Sequence, residues 1–186
     1  MGKINCTKNL FRIFVFSALS ALFLGCGGSS PNTPNLPVTK QFRFDGISNF
    51  ELRQLHNATI VYHTAEEIEA LLNEKITKFL VEKRLLTSDE NANILEISLV
   101  YFKRFMGDET PVKSDSLGYP LFGYNIKVLD NNQTILREID RRDLIFKGGF
   151  ATNVKALAGQ LREKEDELQF IDAFAETVTK SIEKIK

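Results

Sequence analysis

The pattern of hydrophobic and polar positions changes character three times along this chain. From Ile13 to Leu24 nearly every residue is apolar, and the segment before it holds three basic residues and no acidic one. Residues 27–37 are then small, polar and proline-rich, which is typical of a flexible linker. From residue 38 onward strand-like and helix-like periods follow one another, and this predicts a single folded domain over residues 38–186.

Period-two alternation of apolar and polar residues predicts the strands of this domain. In chain order they are expected at residues 38–45, 58–62, 94–105, 120–129 and 133–146. The strand at 94–105 is long and has one wholly apolar face, which is typical of a central antiparallel strand. Asp130-Asn131-Asn132 should join the last two strands, because Asn and Asp accept the left-handed conformations of tight hairpin turns.

Two longer segments have the helical period. Thr64 followed by Glu67 is a capping-box pattern, which predicts the start of a helix that ends near Arg84. The last helix is expected from Leu168 through the C-terminus, and a short helix is expected at residues 153–162. The element order predicts an α+β fold: an antiparallel sheet of four or five strands with two main helices packed on one face.

Composition and charge narrow the classes of function. The first 25 residues hold three of the 24 basic residues and none of the 24 acidic ones, so the rest of the chain carries 21 basic residues against 24 acidic. Without a basic excess, nucleic acid is not an expected partner. Of the two cysteines, Cys6 precedes the apolar run and Cys26 follows it, so the domain has no pair to form a disulfide.

The N-terminal pattern predicts a secretory signal peptide over residues 1–25. A basic start followed by a short apolar run is its signature, and the run is shorter than the ~20 residues that a membrane span needs. The segment Leu22-Phe23-Leu24-Gly25-Cys26 resembles the lipobox of bacterial lipoproteins. Gly25 and Cys26 match the family pattern, whereas Phe23 stands where leucine is usual, with Leu22 one place earlier.

The resemblance implies that the chain is cut before Cys26 and anchored there. A diacylglycerol would be joined to the sulfur and a further acyl chain to the new amino group, and no other cofactor is expected. Two or more acyl chains make membrane attachment stable. In the family, Gly at position 27 favours the outer membrane over the inner one. Residues 26–37 would then be a lipidated tether of up to ~35 Å, at about 3.1 Å per residue.

The predicted element order is similar to that of small envelope lipoproteins of the lipopolysaccharide-assembly and curli-secretion types. This resemblance covers the mature domain in element order only, and no diagnostic motif accompanies it. The anchor, the tether and a compact domain without a catalytic constellation predict a non-enzymatic binding or assembly role, with another envelope protein as the partner. The alternative is a carrier of lipid or another small molecule, in which some of the 15 Phe residues line an apolar cavity between helices and sheet.

Residues that could carry catalysis are few. His56 and His63 are expected at the surface or at a strand edge, and their spacing is not that of a metal site. The charged residues from Glu138 to Asp143 are expected to form exposed ion pairs. Neither a nucleophile elbow nor a phosphate-binding loop occurs. The sequence therefore predicts no catalytic residue and no metal ligand.

One loop remains as a candidate partner surface. Between Met106 and Gly123 the chain combines acidic side chains with aromatic ones, and aromatic residues supply contact area at low entropic cost. The residues selected for this surface are Asp108, Glu109, Asp115 and Tyr119. Phe122 is expected to point into the core instead.

Overall fold

The computed structural model describes residues 37–146 and 148–185, which form a mixed α+β fold. The strands are β1 (Phe42–Arg43), β2 (Asn49–Gln54), β3 (Asn93–Lys103), β4 (Leu121–Leu129) and β5 (Ile135–Ile145). The helices are α1 (Ala65–Glu82), α2 (Phe150–Leu157) and α3 (Leu168–Glu183), with a 3₁₀ turn at Lys164–Glu167 before α3. Within this described part, none of the helices has the length and apolar character of a membrane span.

The long strand β3 forms the centre of the sheet, as its apolar alternation predicts. Its odd-numbered residues are buried while its even-numbered ones are half-buried, and it pairs antiparallel with β4. β4 pairs antiparallel with β5 through a hairpin at the predicted place. The left-handed residue of its turn is Gln133, with a φ of 63°, and not one of Asp130-Asn131-Asn132 as expected. The α+β prediction, with a largely antiparallel sheet, is confirmed.

The two N-terminal strands differ from the expectation. β1 and β2 both pair parallel with β3, at successive positions along its other edge. The strand predicted at residues 58–62 is absent from this described region, and Tyr62 is instead buried from an irregular loop. The prediction was wrong because Ile60 and Tyr62 pack against the core from a loop. Their apolar character reflects these long-range contacts and does not indicate a strand.

The two main helices pack together on one face of the sheet. α1 begins at Thr64, where both hydrogen bonds of the predicted capping box are present. α3 begins at Leu168 as predicted, and the short helix is shifted toward the N-terminus of its expected range. The rings of Phe122 and Phe174 stack at 4.4 Å between sheet and helix, so Phe122 points inward as expected.

The sheet has two chemically different ends. At the first, which we call the entry end, Thr39 exchanges hydrogen bonds of 2.7 and 3.1 Å with Asn93, the first residue of β3. At the other, which we call the distal end, β2 and β3 finish side by side at Gln54 and Lys103. The loops 55–64 and 105–117, the 3₁₀ turn and α2 belong to the distal end.

Candidate binding site

The sheet face opposite the helices carries a groove toward the distal end. Its volume is about 360 Å³, and its floor is formed by side chains that the register places side by side on this face. Val100 lies opposite Gly123, and Phe102 lies opposite Leu121. Because these side chains are not covered by a helix, the floor is an apolar surface open to solvent.

Ion pairs border the groove on both sides. On β2, Arg53 makes a bidentate pair with Glu51, with both hydrogen bonds at 2.7 Å. On β5, Arg142 donates to Asp140 at 2.9 and 3.1 Å. The Arg53 guanidinium holds the pKa of Glu51 below its usual value, chiefly by hydrogen bonding. Arg141 and Asp143 also line the groove but form no ion pair among the described residues. Together with Glu51, the three arginines stand against three carboxylates, so the groove has no dominant sign.

A β-bulge shapes the floor of the groove. Phe122 pairs with Leu144 and Tyr124 with Arg141, so two residues of β5 face the single Gly123. One of them, Asp143, has a left-handed φ of 54°. Glycine within a strand leaves its surface open to close approach. A Cβ added at Gly123 would lie 3.6 Å from Val100 Cβ and 3.5 Å from the Arg141 carbonyl oxygen, which is ordinary contact.

The distal end contains a buried ionic cluster around Glu167. The side chain of Glu167 is fully buried, and its Oε1 lies 3.0 Å from Lys103 Nζ in an ion pair whose angles fall short of a hydrogen bond. Lys103 Nζ donates to the His63 carbonyl at 2.7 Å. The His63 backbone N–H and ring Nδ1 each lie 3.1 Å from Glu167 Oε2. The cluster thus joins β3, loop 55–64 and the start of α3.

Two tyrosines lie beside this cluster. Burial raises the pKa of Tyr62 to about 12. Its hydroxyl donates to the Asp115 carbonyl oxygen at 2.6 Å, and the Leu161 carbonyl oxygen is a second possible acceptor at 3.1 Å. Burial also raises the pKa of Tyr101, with the charge of Glu167 acting in the same direction. Both phenols are therefore neutral at physiological pH and serve as hydrogen-bond donors or packing groups.

A second histidine–carboxylate pair lies nearby. His56 Nδ1 is 2.6 Å from Asp108 Oδ1, and Asp108 Oδ2 accepts from the Phe105 backbone N–H at 2.8 Å. His56 Nε2 is buried without a hydrogen-bond partner, 3.9 Å from Asp115 Oδ1. Asp115 Oδ2 accepts from both the backbone N–H and the hydroxyl of Thr59.

The histidines are therefore not at the surface, contrary to the expectation. Their side chains are 13% exposed for His56 and 9% for His63, because each is covered by a loop whose buried carboxylate it contacts. Sequence spacing could not reveal these pairs, since 52 residues separate His56 from Asp108 and 104 separate His63 from Glu167. The contacts tie distant loops together, which is a structural role.

The structure places the four loop residues selected from sequence in different settings. The Asp108 side chain is 1% exposed and lies beneath the loop, so it does not form part of an exposed surface. Asp115 already accepts hydrogen bonds from the backbone N–H and the hydroxyl of Thr59 through its Oδ2. Glu109 is 77% exposed and pairs with Arg104, while the Tyr119 hydroxyl donates to Asn153 Oδ1 at 2.9 Å. Glu109 and Tyr119 remain candidate partner contacts.

Other predicted positions lie elsewhere. Leu22, Phe23, Leu24, Gly25 and Cys26 lie outside the described residues. Sequence reasoning missed the groove, whose only local signal is a glycine within an otherwise regular strand. Over residues 37–146 and 148–185, the His, Cys, Asp and Glu side chains form no group of three placed to hold a metal ion.

The fold class is thus α+β, with an open groove on one face of the sheet. Comparisons with protein-family models, with curated proteins and with solved structures found no match.

Proposed function

We propose that this protein is a lipid-anchored lipoprotein of the bacterial cell envelope and that its domain binds another envelope protein as an accessory or assembly factor. The anchor would be Cys26, and the location the periplasmic face of the outer membrane. The lipobox-like segment supports the anchor. The groove on the uncovered sheet face is the observation that carries the binding role.

The chemistry of the groove favours a protein partner. Its floor is apolar and its bordering charges are balanced, since Arg53, Arg141 and Arg142 stand against Glu51, Asp140 and Asp143. Binding of a polyanion needs an excess of cations. The cores of protein interfaces are depleted of charge and surrounded by polar residues. The groove, with Val100, Phe102 and Leu121 between two arginine–carboxylate pairs, has this arrangement.

A surface site is better supported than an internal carrier cavity. In the described part of the chain, the layer between sheet and helices is occupied by side chains with no exposure, among them Ile97, Leu99 and Phe174. The groove lies on the opposite face, where a partner can reach it without rearrangement of the core.

The anchor is tested by Cys26→Ala in the full-length chain. We expect an uncut precursor that incorporates no radiolabelled fatty acid, because the thioether cannot form. Membrane fractionation and intact mass are the measurements, and Cys6→Ala is the matched control that should process normally. Normal cleavage and membrane retention of Cys26→Ala would contradict the anchor.

The groove is tested by Gly123→Val. The added Cβ would make ordinary contacts, and the side chain would narrow the groove. Stability should be unchanged or rise by about 0.5–1 kcal/mol, because glycine weakens a strand. Recovery of the partner from detergent-solubilised membranes should fall by tenfold or more, since blocking an interface core costs about 2 kcal/mol or more.

Ile135→Thr, at the entry end of the same sheet, is the control that should leave recovery unchanged. The groove would be excluded as the binding site if the Gly123→Val variant unfolds like the unmodified protein and recovers the same amount of partner.

A further inference from the structure

The hairpin between β4 and β5 carries an acceptor tripeptide for N-glycosylation. Asn132-Gln133-Thr134 has the form Asn-X-Thr, in which X is not proline. Asparagine in such a tripeptide is an acceptor of oligosaccharide when it lies on a surface loop of an exported protein. Among the described residues, Asn57-Ala58-Thr59 in loop 55–64 has the same form. The surroundings of the two tripeptides differ, and this difference selects one of them.

Asn132 lies at the exposed tip of the hairpin. Asp130 Oδ1 accepts from the backbone N–H of Asn132 at 2.9 Å and from that of Thr134 at 2.8 Å. The Asp130 backbone N–H donates to the Thr134 carbonyl at 3.0 Å. All residues from Asn131 to Ile135 are exposed. Within the described residues, the Asn132 side-chain amide and the Thr134 hydroxyl have no hydrogen-bond partner, so both are accessible to an enzyme.

The tripeptide in loop 55–64 is held by its own domain. The Thr59 hydroxyl donates to Asp115 Oδ2, to which the Thr59 backbone N–H also donates at 3.1 Å. Asn57 Oδ1 accepts from Gln54 Nε2 at 2.6 Å. The acceptor tripeptide requires a hydroxyl residue at its third position. Because the hydroxyl of Thr59 is already hydrogen-bonded, this tripeptide is the poorer acceptor.

We propose that Asn132 is an N-glycosylation site, and that it receives an oligosaccharide from a polyprenyl-diphosphate-linked donor through a membrane oligosaccharyltransferase. The inference rests on the export that we propose for this chain. Acceptors of the bacterial enzymes carry an acidic residue two positions before the asparagine. Asp130 stands at this position before Asn132, whereas Leu55 stands there before Asn57.

The transfer balances without any further reactant. Asn132 Nδ2 forms a bond to the anomeric carbon of the first sugar, and the bond from that carbon to the diphosphate oxygen breaks. The polyprenyl diphosphate leaves with the bonding electron pair, and one proton of the amide passes to a base of the transferase. The domain supplies the acceptor nitrogen and the exposed turn that presents it.

A glycan at this position would leave the groove accessible. The hairpin lies at the entry end, since Leu129 at the end of β4 pairs with Ile94 near the start of β3. Arg43 of β1 also donates to Asn131 Oδ1 at 2.6 Å. The groove lies toward the distal end of the sheet, so the proposed modification and the proposed binding of a partner are compatible.

The test is tandem mass spectrometry of the full-length protein isolated from the envelope of its own cells. Trypsin cleaves after Lys127 and after Arg137, so Asn132 and Asn57 fall on separate peptides. We expect the peptide 128–137 to carry an oligosaccharide on Asn132, and the peptide that contains Asn57 to be unmodified.

Matched variants separate the tripeptide from the turn. Asn132→Gln and Thr134→Val should abolish the modification, whereas Thr134→Ser should retain it because the hydroxyl is kept. Only backbone groups of Thr134 take part in the bonds of the turn, so none of these changes should alter the hairpin. Asn131→Gln, at the neighbouring amide outside the tripeptide, should leave the modification unchanged.

An unmodified peptide 128–137, a glycan on Asn57 in place of Asn132, or a glycan that persists in Thr134→Val would overturn the proposal. Fatty-acid labelling of the same material distinguishes this failure from that of the anchor. A lipidated chain without glycan excludes the glycosylation site alone, and a glycosylated chain without lipid on Cys26 excludes the anchor alone. A chain with neither modification excludes both.

Discussion

Glu167 connects three segments of the chain through one buried carboxylate. It faces Lys103 from the sheet and His63 from loop 55–64, and all of these groups are largely removed from water. A buried charge without a partner is far more costly than one that is paired. The cluster is therefore most sensitive to the loss of one member.

Replacement of Glu167 by Gln should strongly destabilise the domain. The free energy of unfolding is expected to fall by about 3 kcal/mol or more, because the Lys103 ammonium would remain buried beside a neutral amide. Urea unfolding followed by circular dichroism measures this change.

The matched control removes both charges. Lys103→Met combined with Glu167→Leu should recover most of the lost stability, since apolar residues of similar size often replace a buried ion pair at little cost. If Glu167→Gln lowers the free energy of unfolding by less than about 1 kcal/mol, water reaches the cluster and screens its charges.

Asp115 should make the domain sensitive to acid. Hydrogen bonds from Thr59 lower the pKa of this carboxyl below its usual value. Because the folded-state pKa lies below the unfolded-state pKa of about 3.9, the ionised carboxylate stabilises the fold fully at pH values above about 3.9. This stabilisation is lost as the pH falls through the lower folded-state pKa. Asp115→Asn should therefore show a smaller drop in melting temperature between about pH 7 and pH 3 than the unmodified domain.

Thr59→Val offers a matched comparison, because it keeps the carboxyl and removes one of its two donors. Its acid sensitivity should lie between those of the unmodified domain and Asp115→Asn. Identical pH profiles for all three would show that Asp115 has the same pKa folded and unfolded.

At the scale of elements, β5 depends on its bulge. Asp143 holds a left-handed φ of 54°, which aspartate tolerates and β-branched residues resist. The bulge brings two residues opposite Gly123 and so shapes the border of the groove. Charged residues and a bulge also protect the free edge of the sheet from pairing with other chains.

Asp143→Val is expected to lower the free energy of unfolding by about 1–2 kcal/mol, whereas Asp143→Gly should be nearly neutral. Urea unfolding compares the two variants. Arg141→Val is the control, since Arg141 is not among the residues with positive φ. Equal losses for Asp143→Val and Arg141→Val would show that backbone strain at the bulge is unimportant.

Elements with strong local signals were predictable. α1 was predicted from its capping box and apolar stripe, and β3 from a long alternation in which Leu95, Ile97, Leu99 and Tyr101 share the buried face. β2 was not, because Asn49–Gln54 carries only two half-buried side chains, Phe50 and Leu52, among exposed polar ones. Its pairing with β3 depends on a partner 49 residues further along.

At the scale of the whole molecule, the two faces of the sheet differ. The face toward the helices is closed by side chains with no exposure, among them Ile97 and Phe174. The opposite face carries the groove, so the binding role that we propose belongs to the uncovered face.

The sequence by itself determined the α+β class, the main helices and the β4–β5 hairpin, because these follow from local periodicity and capping. It also contains the lipobox-like segment ending at Cys26, which remains a prediction. Only the tertiary structure decided that His56 and His63 are largely covered and contact carboxylates, and that Gly123 lies in the floor of a groove. Each of these depends on contacts between segments far apart in the chain, and no local pattern encodes such contacts.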